Sequence, residues 1–270
     1  MKIARLIKYD LKCGFAYNRI KLVIALGFIL ANCVYFNMII EGVQIDNASL
    51  GDLIIYFFKG EAVFSTKTGN FPIPIIYLGF QIIVSILIGY YPYDDINGYG
   101  KQIFIRCQDK RKWLNSKVTW SISTVLFFYL CTFTILFLFA SISGFDMSLG
   151  YHKEIIWETN NIEIPNIEAC TIIFNGILMP IVYSIVISLI HICISLGTNA
   201  IIGFLTIMIY DFVAIFFTNK FFLSNYIMIL RNTEYSAVKY NKLEGFITLI
   251  IVYIVALLIG RLIINKKQLI

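Results

Sequence analysis

Long apolar runs separated by short polar segments set the pattern of this chain. A membrane-spanning helix needs about 20 mostly apolar residues at 1.5 Å rise each. Six runs reach that scale, at residues 22–40, 73–91, 118–144, 171–195, 200–217 and 246–264. The pattern predicts an all-α polytopic membrane protein, one transmembrane domain over 1–270 with six transmembrane helices. The first run is longer than the apolar stretch of a secretory signal and lacks a small-x-small cleavage site, so it is expected to stay in the mature protein.

Ahead of that run, residues 1–21 place Ile3, Leu6, Ile7, Leu11 and Phe15 on one helical face and Lys2, Arg5, Lys8 and Lys12 on another. This two-faced spacing predicts an amphipathic N-terminal elbow helix in the headgroup layer, its basic side chains meeting anionic membrane lipids.

Composition agrees: 59% of the 270 residues are apolar and only 14% charged, against roughly 45–50% and about 25% in soluble domains. A disordered chain and a secreted disulfide scaffold are thereby excluded, and the composition argues strongly against an ordinary cytosolic enzyme. The net charge of +6 is too small to suggest nucleic acid. Its distribution is more informative. Six Lys and Arg precede the first run, six lie in the loop at 92–117 and three follow the last run, which accounts for 15 of the 22. The positive-inside rule then puts both termini in the cytoplasm of a multi-pass protein, with the acidic loop at 145–170 outside. The six cysteines show neither metal-site spacing nor the clustering of a disulfide framework.

The second cytoplasmic loop, 92–117, carries the most information. Asp94, Asp95, Gly98 and Gly100 break the helix leaving the membrane, a short helix-capable stretch holds Ile103, Phe104 and Ile105, and a basic-aromatic stretch through Arg111, Trp113 and Lys117 leads back to the bilayer. Apolar residues on a short cytoplasmic loop are expected to dock on something.

This order of acidic residue, Gly, Lys, short apolar stretch, then Arg and Lys resembles the coupling loop between spans two and three of type-2 ATP-binding-cassette (ABC) exporter permeases. The elbow, the six spans and the four-residue turn between spans four and five resemble that family too. The resemblance implies a docking helix at Gly98 to Arg106, with Gly98, Lys101, Ile103, Phe104, Ile105, Arg106 and Arg111 facing a cytosolic ABC ATPase present in two copies. It implies a second permease copy or a sister permease, a bacterial plasma membrane, and a peptide, drug or lipid-like substrate, with antimicrobial-peptide export or self-immunity as the suggested setting. Lys117 and Arg111 match the basic positions closing the loop and are expected also at phosphate headgroups. The chain departs from the pattern at Cys107 to Lys110, where many relatives turn at a proline or small residue.

Inside the spans, Asp211 falls near the bilayer middle, where a charge costs about 2.5–3.5 kcal/mol on insertion scales. It either lines a translocation path, with Asn175 and Pro180 as further candidates, or bonds to a neighbouring span through Asn32, Asn37, Gln81 or Asn175. Pro180 predicts a kink, and His191 is expected to reach the membrane interface. In the outer loop at 218–245, Phe221 to Leu230 is too short to span. It reads equally as short re-entrant helices or as a surface aromatic loop through Phe221, Phe222, Tyr226 and Tyr235. No phosphate loop, His-Glu-x-x-His motif or placed Ser, His and Asp set occurs, so no catalytic residue, metal or bound cofactor is expected, and ATP and Mg belong on the partner ATPase. Two other readings stay open: a membrane anchor or sensor without transport, and an ion-coupled secondary transporter using Asp211.

Overall fold

The computed structural model describes residues 3–43, 48–61, 73–98, 100–106, 109–155, 168–231 and 241–267. Of these, 86% are helical and none belongs to a strand. The principal helices are α1 (Ile3–Val43), α2 (Leu50–Phe58), α3 (Ile75–Asn97), α4 (Gly100–Arg106), α5 (Lys110–Ile142), α6 (Ala169–Gly197), α7 (Ala200–Phe216) and α8 (Lys242–Lys266). Five of them, α1, α3, α5, α6 and α8, are long and apolar enough to cross a membrane. The expected sixth span, α7, has 17 residues. It rises about 25 Å, short of the roughly 30 Å hydrocarbon core.

Both termini, α4 and the start of α5 share one end of the bundle, here called the terminal end. At that end the helices overrun the apolar runs. The expected break between an elbow at 1–21 and a span at 22–40 is absent: α1 is one helix of 41 residues, about 60 Å long at 1.5 Å per residue. No proline interrupts it, and its buried stripe recurs every three or four residues from Leu6, Asp10, Gly14 and Asn18 to Phe36 and Ile40. That stripe is not the apolar face read from the sequence. Of Ile3, Leu6, Ile7, Leu11 and Phe15, only Leu6 is fully buried. The reason is close approach to α5: a Cβ at Gly14 would lie 2.0 Å from Trp120 Nε1, so small and polar residues, not large apolar ones, occupy the contact.

The segment at 92–117 is likewise mostly helix. α3 continues through Pro92 to Asn97 and stops at Gly98, whose N–H donates to Asp94 O at 2.8 Å. α5 starts at Lys110 behind Asp109, whose carboxylate accepts from Arg111 N at 3.0 Å, an N-cap that satisfies an otherwise orphan donor.

At the opposite end, α2 is an element absent from the span pattern because nine residues cannot cross a bilayer. Ser49 and Asp52 form a reciprocal capping box at its start, and Gly51 to Phe58 are buried. The segment after α5 laces it down: Leu50 N donates to Asp146 O at 2.8 Å, and Ser49 Oγ to Gly150 O at 2.6 Å. α2 presses on a π-helical turn, Phe174–Leu178, inside α6, where a Cβ at Gly176 would meet Ile54 Cγ2 at 2.7 Å. This wide turn is where the Pro180 irregularity falls, because Pro180 has no N–H for the carbonyl four residues back.

Candidate functional site

The terminal end holds a buried ion cluster. Lys117 is expected at the headgroup surface, but it is fully buried. Its Nζ donates to Asp10 Oδ1 and to Asp95 Oδ2, each at 2.6 Å. It also lies 4.3 Å from the Tyr91 ring centroid and 5.0 Å from that of Trp113. Asp10 accepts further bonds from Ser116 Oγ at 2.5 Å and Tyr91 Oη at 3.0 Å. Three long helices, α1, α3 and α5, therefore meet on one ammonium. Counting basic residues treats Lys117 as surface charge, whereas its carboxylate partners sit up to 107 positions away, beyond the reach of any local pattern. A buried charge group of this kind persists only with its hydrogen bonds filled, which the two hydroxyls and two aromatic faces provide.

Asp95 also fixes the neighbouring short helix. A Cβ at Gly100 would stand 2.1 Å from Asp95 Oδ2, so only glycine lets α4 start against that carboxylate. Along α4, Phe104 turns inward, 4% exposed, and meets Trp113 edge-on at 5.5 Å. Ile103 is half-buried, and Ile105 points outward at 63% exposure. Of Ile103, Phe104 and Ile105, all expected to dock on a partner, Phe104 is instead buried on its own chain. Phe104 is the anchor that holds α4 on its own chain, and Ile105 is the apolar residue left outside.

The other predicted docking residues fall as follows. Gly98 ends α3 and does not join α4, Lys101 is half-buried, Arg106 closes α4 with its side chain outside the described residues, and Arg111 is exposed. Arg5, Lys8 and Lys12 are exposed on α1, and Lys2 lies outside the described residues. Cys107 and Gln108, within the expected departure from the family pattern, also lie outside them. Two lysines finish this end by capping helix C-termini. Lys110 Nζ donates to Lys267 O at 2.9 Å, and Lys267 Nζ to Leu196 O at 2.8 Å.

A second buried acid lies toward the opposite end. Asp211 is fully buried and accepts a hydrogen bond from the Tyr183 hydroxyl. Its other carboxylate oxygen has no partner among the described residues. The expected bond to a neighbouring span exists, but through Tyr183: Asn32 bonds Phe28 O at 2.8 Å, Asn37 bonds Glu41 at 2.7 Å, and neither Gln81 nor Asn175 bonds Asp211. Asn175 is buried in the π turn and Pro180 is buried just beyond it. His191 does not reach the interface. It is fully buried, wedged where a Cβ at Gly89 would be 1.9 Å and one at Gly203 2.8 Å from its ring.

Arg231, which lies outside the three basic segments counted from the sequence, is fully buried across the end of α7. Its guanidinium donates to Ala214 O at 2.7 Å, to Ile215 O, to Glu61 O at 3.0 Å and to the Asn225 side chain. It closes α7 and pins the two short 3₁₀ turns Leu223–Tyr226 and Ile229–Arg231. The 221–230 stretch is therefore a packed plug, with Phe221 as its 86% exposed exception, and not a surface loop. Tyr235 lies outside the described residues.

Sequence reasoning missed Asp10, Tyr91, Ser116, Tyr183 and the role of Arg231. One signal was available: Asp10 is the single acid in residues 1–21, on a four-residue repeat with Leu6 and Gly14. Among the described residues no group of three or more His, Cys, Asp or Glu side chains is placed to hold a metal ion.

Apolar helices long enough to cross a bilayer, with buried charges between them, define an all-α multi-pass membrane protein. The chain belongs to the family described as "Protein of unknown function (DUF2705)", whose family model matches residues 35–270. No curated protein and no solved structure matches it.

Proposed function

We propose that this chain is the permease subunit of an ABC exporter in a bacterial plasma membrane, with both termini and α4 on the cytoplasmic side. It would form, with a second copy or a sister permease, a path for a peptide, drug or lipid-like substrate, and take its energy from a separate ATPase. The observation that carries the reading is α4 itself. A short helix stands between the second and third long helices, bound to its own chain by Phe104 and Asp95 while presenting Ile105 outward. The surplus of Lys and Arg in the terminal segments and in 92–117 supports the orientation.

In mechanical terms, a push on α4 is transmitted without slack. Asp95 and Trp113 join it to the ends of α3 and α5, and Lys117 extends the connection to α1. ATP-driven closure of two ATPase subunits would move these helix ends together, and coupling requires that the ATPase bind the two arrangements with different affinity.

The test is a photo-reactive residue at position 105 in the chain expressed in its native membrane. The expected adduct is a subunit with a Gly-x-x-x-x-Gly-Lys-Ser/Thr phosphate loop, and Ile105→Asp is expected to abolish transport in vesicles while leaving thermal stability within about 0.5 kcal/mol. An adduct only with proteins lacking a nucleotide site, or full transport by Ile105→Asp, overturns the reading.

A further inference from the structure

Between α1 and α3 runs an open groove of about 570 Å³. Its walls are aliphatic and aromatic, from Ile24 and Phe28 on α1 to Ile75, Ile82 and Leu87 on α3, with one exception, Lys21 at its terminal-end mouth. Phe28 leans onto Gly79, where a Cβ would stand 2.6 Å from its ring, and so forms the floor.

Among the described residues no carboxylate lies within ion-pair distance of the charge at the mouth, and Asp94 acts on it only from farther off. Lys21 Nζ donates to Ile86 O at 3.3 Å and lies 4.3 Å from the Tyr17 ring centroid and 5.2 Å from that of Tyr90. It makes no ion pair among the described residues. Asp94, the acid on the neighbouring part of α3, is held by the Tyr17 hydroxyl at 2.5 Å. Lys21 also stands where α1 changes from its basic half to its apolar half, the level of lipid headgroups.

We propose that the groove is a binding site for an anionic glycerophospholipid, its phosphate on Lys21 and an acyl chain lying along α3 toward Ile75. The length fits: Leu87 to Ile75 rises about 18 Å at 1.5 Å per residue, close to the roughly 15 Å of one leaflet of the hydrocarbon core. The charge decides between occupants. A transmembrane helix laid over the groove would seal Lys21 into an apolar contact, which is costly, whereas a lipid phosphate neutralises it. This site is independent of the transport reading above.

Native mass spectrometry of the full chain, titrated with phosphatidylglycerol and phosphatidylcholine of identical acyl chains, tests the site. The intact chain is expected to retain phosphatidylglycerol preferentially. Lys21→Gln should reduce that preference about fivefold, the effect of one basic residue at a phosphate, and Lys21→Arg should keep it. Ile82→Trp, which fills the groove from a partly exposed position, should lower retention of both lipids. Equal retention of the two lipids by the intact chain, or an unchanged preference in Lys21→Gln, overturns the proposal. So does a chain-to-chain crosslink at Ile24→Cys, absent from the parent protein, in native membranes, because a second copy would then cover the groove.

Discussion

The two ends of the bundle bury charge in opposite ways. At the terminal end, Lys117 pairs with Asp10 and Asp95, side chain to side chain, across three separate helices. At the other end the buried charges mostly serve backbone. Arg231 fills the last carbonyls of α7, and Asp52 accepts from Ser49 N at 2.9 Å and His152 N at 2.7 Å. Charges shared between helices respond when those helices move relative to one another. Charges spent on backbone close loops and caps, and the segments they close move as a unit. On the proposed reading the ion cluster is the place where a displacement of α4 would be felt, whereas the described segments of the opposite end are tied to one another.

Breaking this contrast should give unequal effects. Lys117→Met is expected to be the most severe, because it strands two buried carboxylates and removes about 3–5 kcal/mol. A thermal melt in detergent reads the loss, and adding Asp10→Asn to Lys117→Met should recover part of it. A double variant no more stable than the single one would mean that Asp10 and Lys117 are not energetically coupled.

Arg231→Met comes next, at about 3 kcal/mol, since carbonyls of Ala214 and Ile215 lose their donor in a buried setting. Hydrogen exchange should rise in 223–231 and at the end of α7 while the start of α5 stays protected. Exchange spreading to α5 would erase the distinction between the two ends. Asp52→Ala should be mildest, about 1–2 kcal/mol, as the capping box and the His152 contact go together. Proteolysis in 48–61 and 145–152 reports it, and loss of protection at α4 would again contradict independent ends.

The features legible in the sequence were those carried by local pattern. Runs of apolar residues marked the long helices, Gly98 was among the residues expected to end α3, and a short helix formed at Gly100–Arg106, inside the expected Gly98 to Arg106. Asn199 caps α7 through Ile202 N at 2.8 Å, and the expected four-residue turn shrinks to Thr198 and Asn199 because α6 continues to Gly197. What stayed hidden depended on distant partners or on length. α2 is too short to register as a span. The continuity of α1 was masked by its change from basic to apolar composition, and its buried stripe passes through Asp10, Gly14 and Asn18, which a search for apolar faces discards. Phe104 looked like a docking residue because its partner, Trp113, sits across a turn and not on the same face of one helix. Likewise, Asp211 offered several amides as candidate partners, and the structure chose a tyrosine, 28 positions earlier.

The separation of 107 residues between Asp10 and Lys117 also sets an order of events during synthesis. At a translation rate of about 5–20 residues per second, Asp10 is added to the chain roughly 5–20 s before the lysine that will neutralise it. For that interval the N-terminal stretch has no ion partner from α5. The closing of the cluster is thus a late step, and a chain truncated before residue 117 should keep the α1–α3 contacts of Tyr17 and Asn18 while leaving Asp10 without its ion partner.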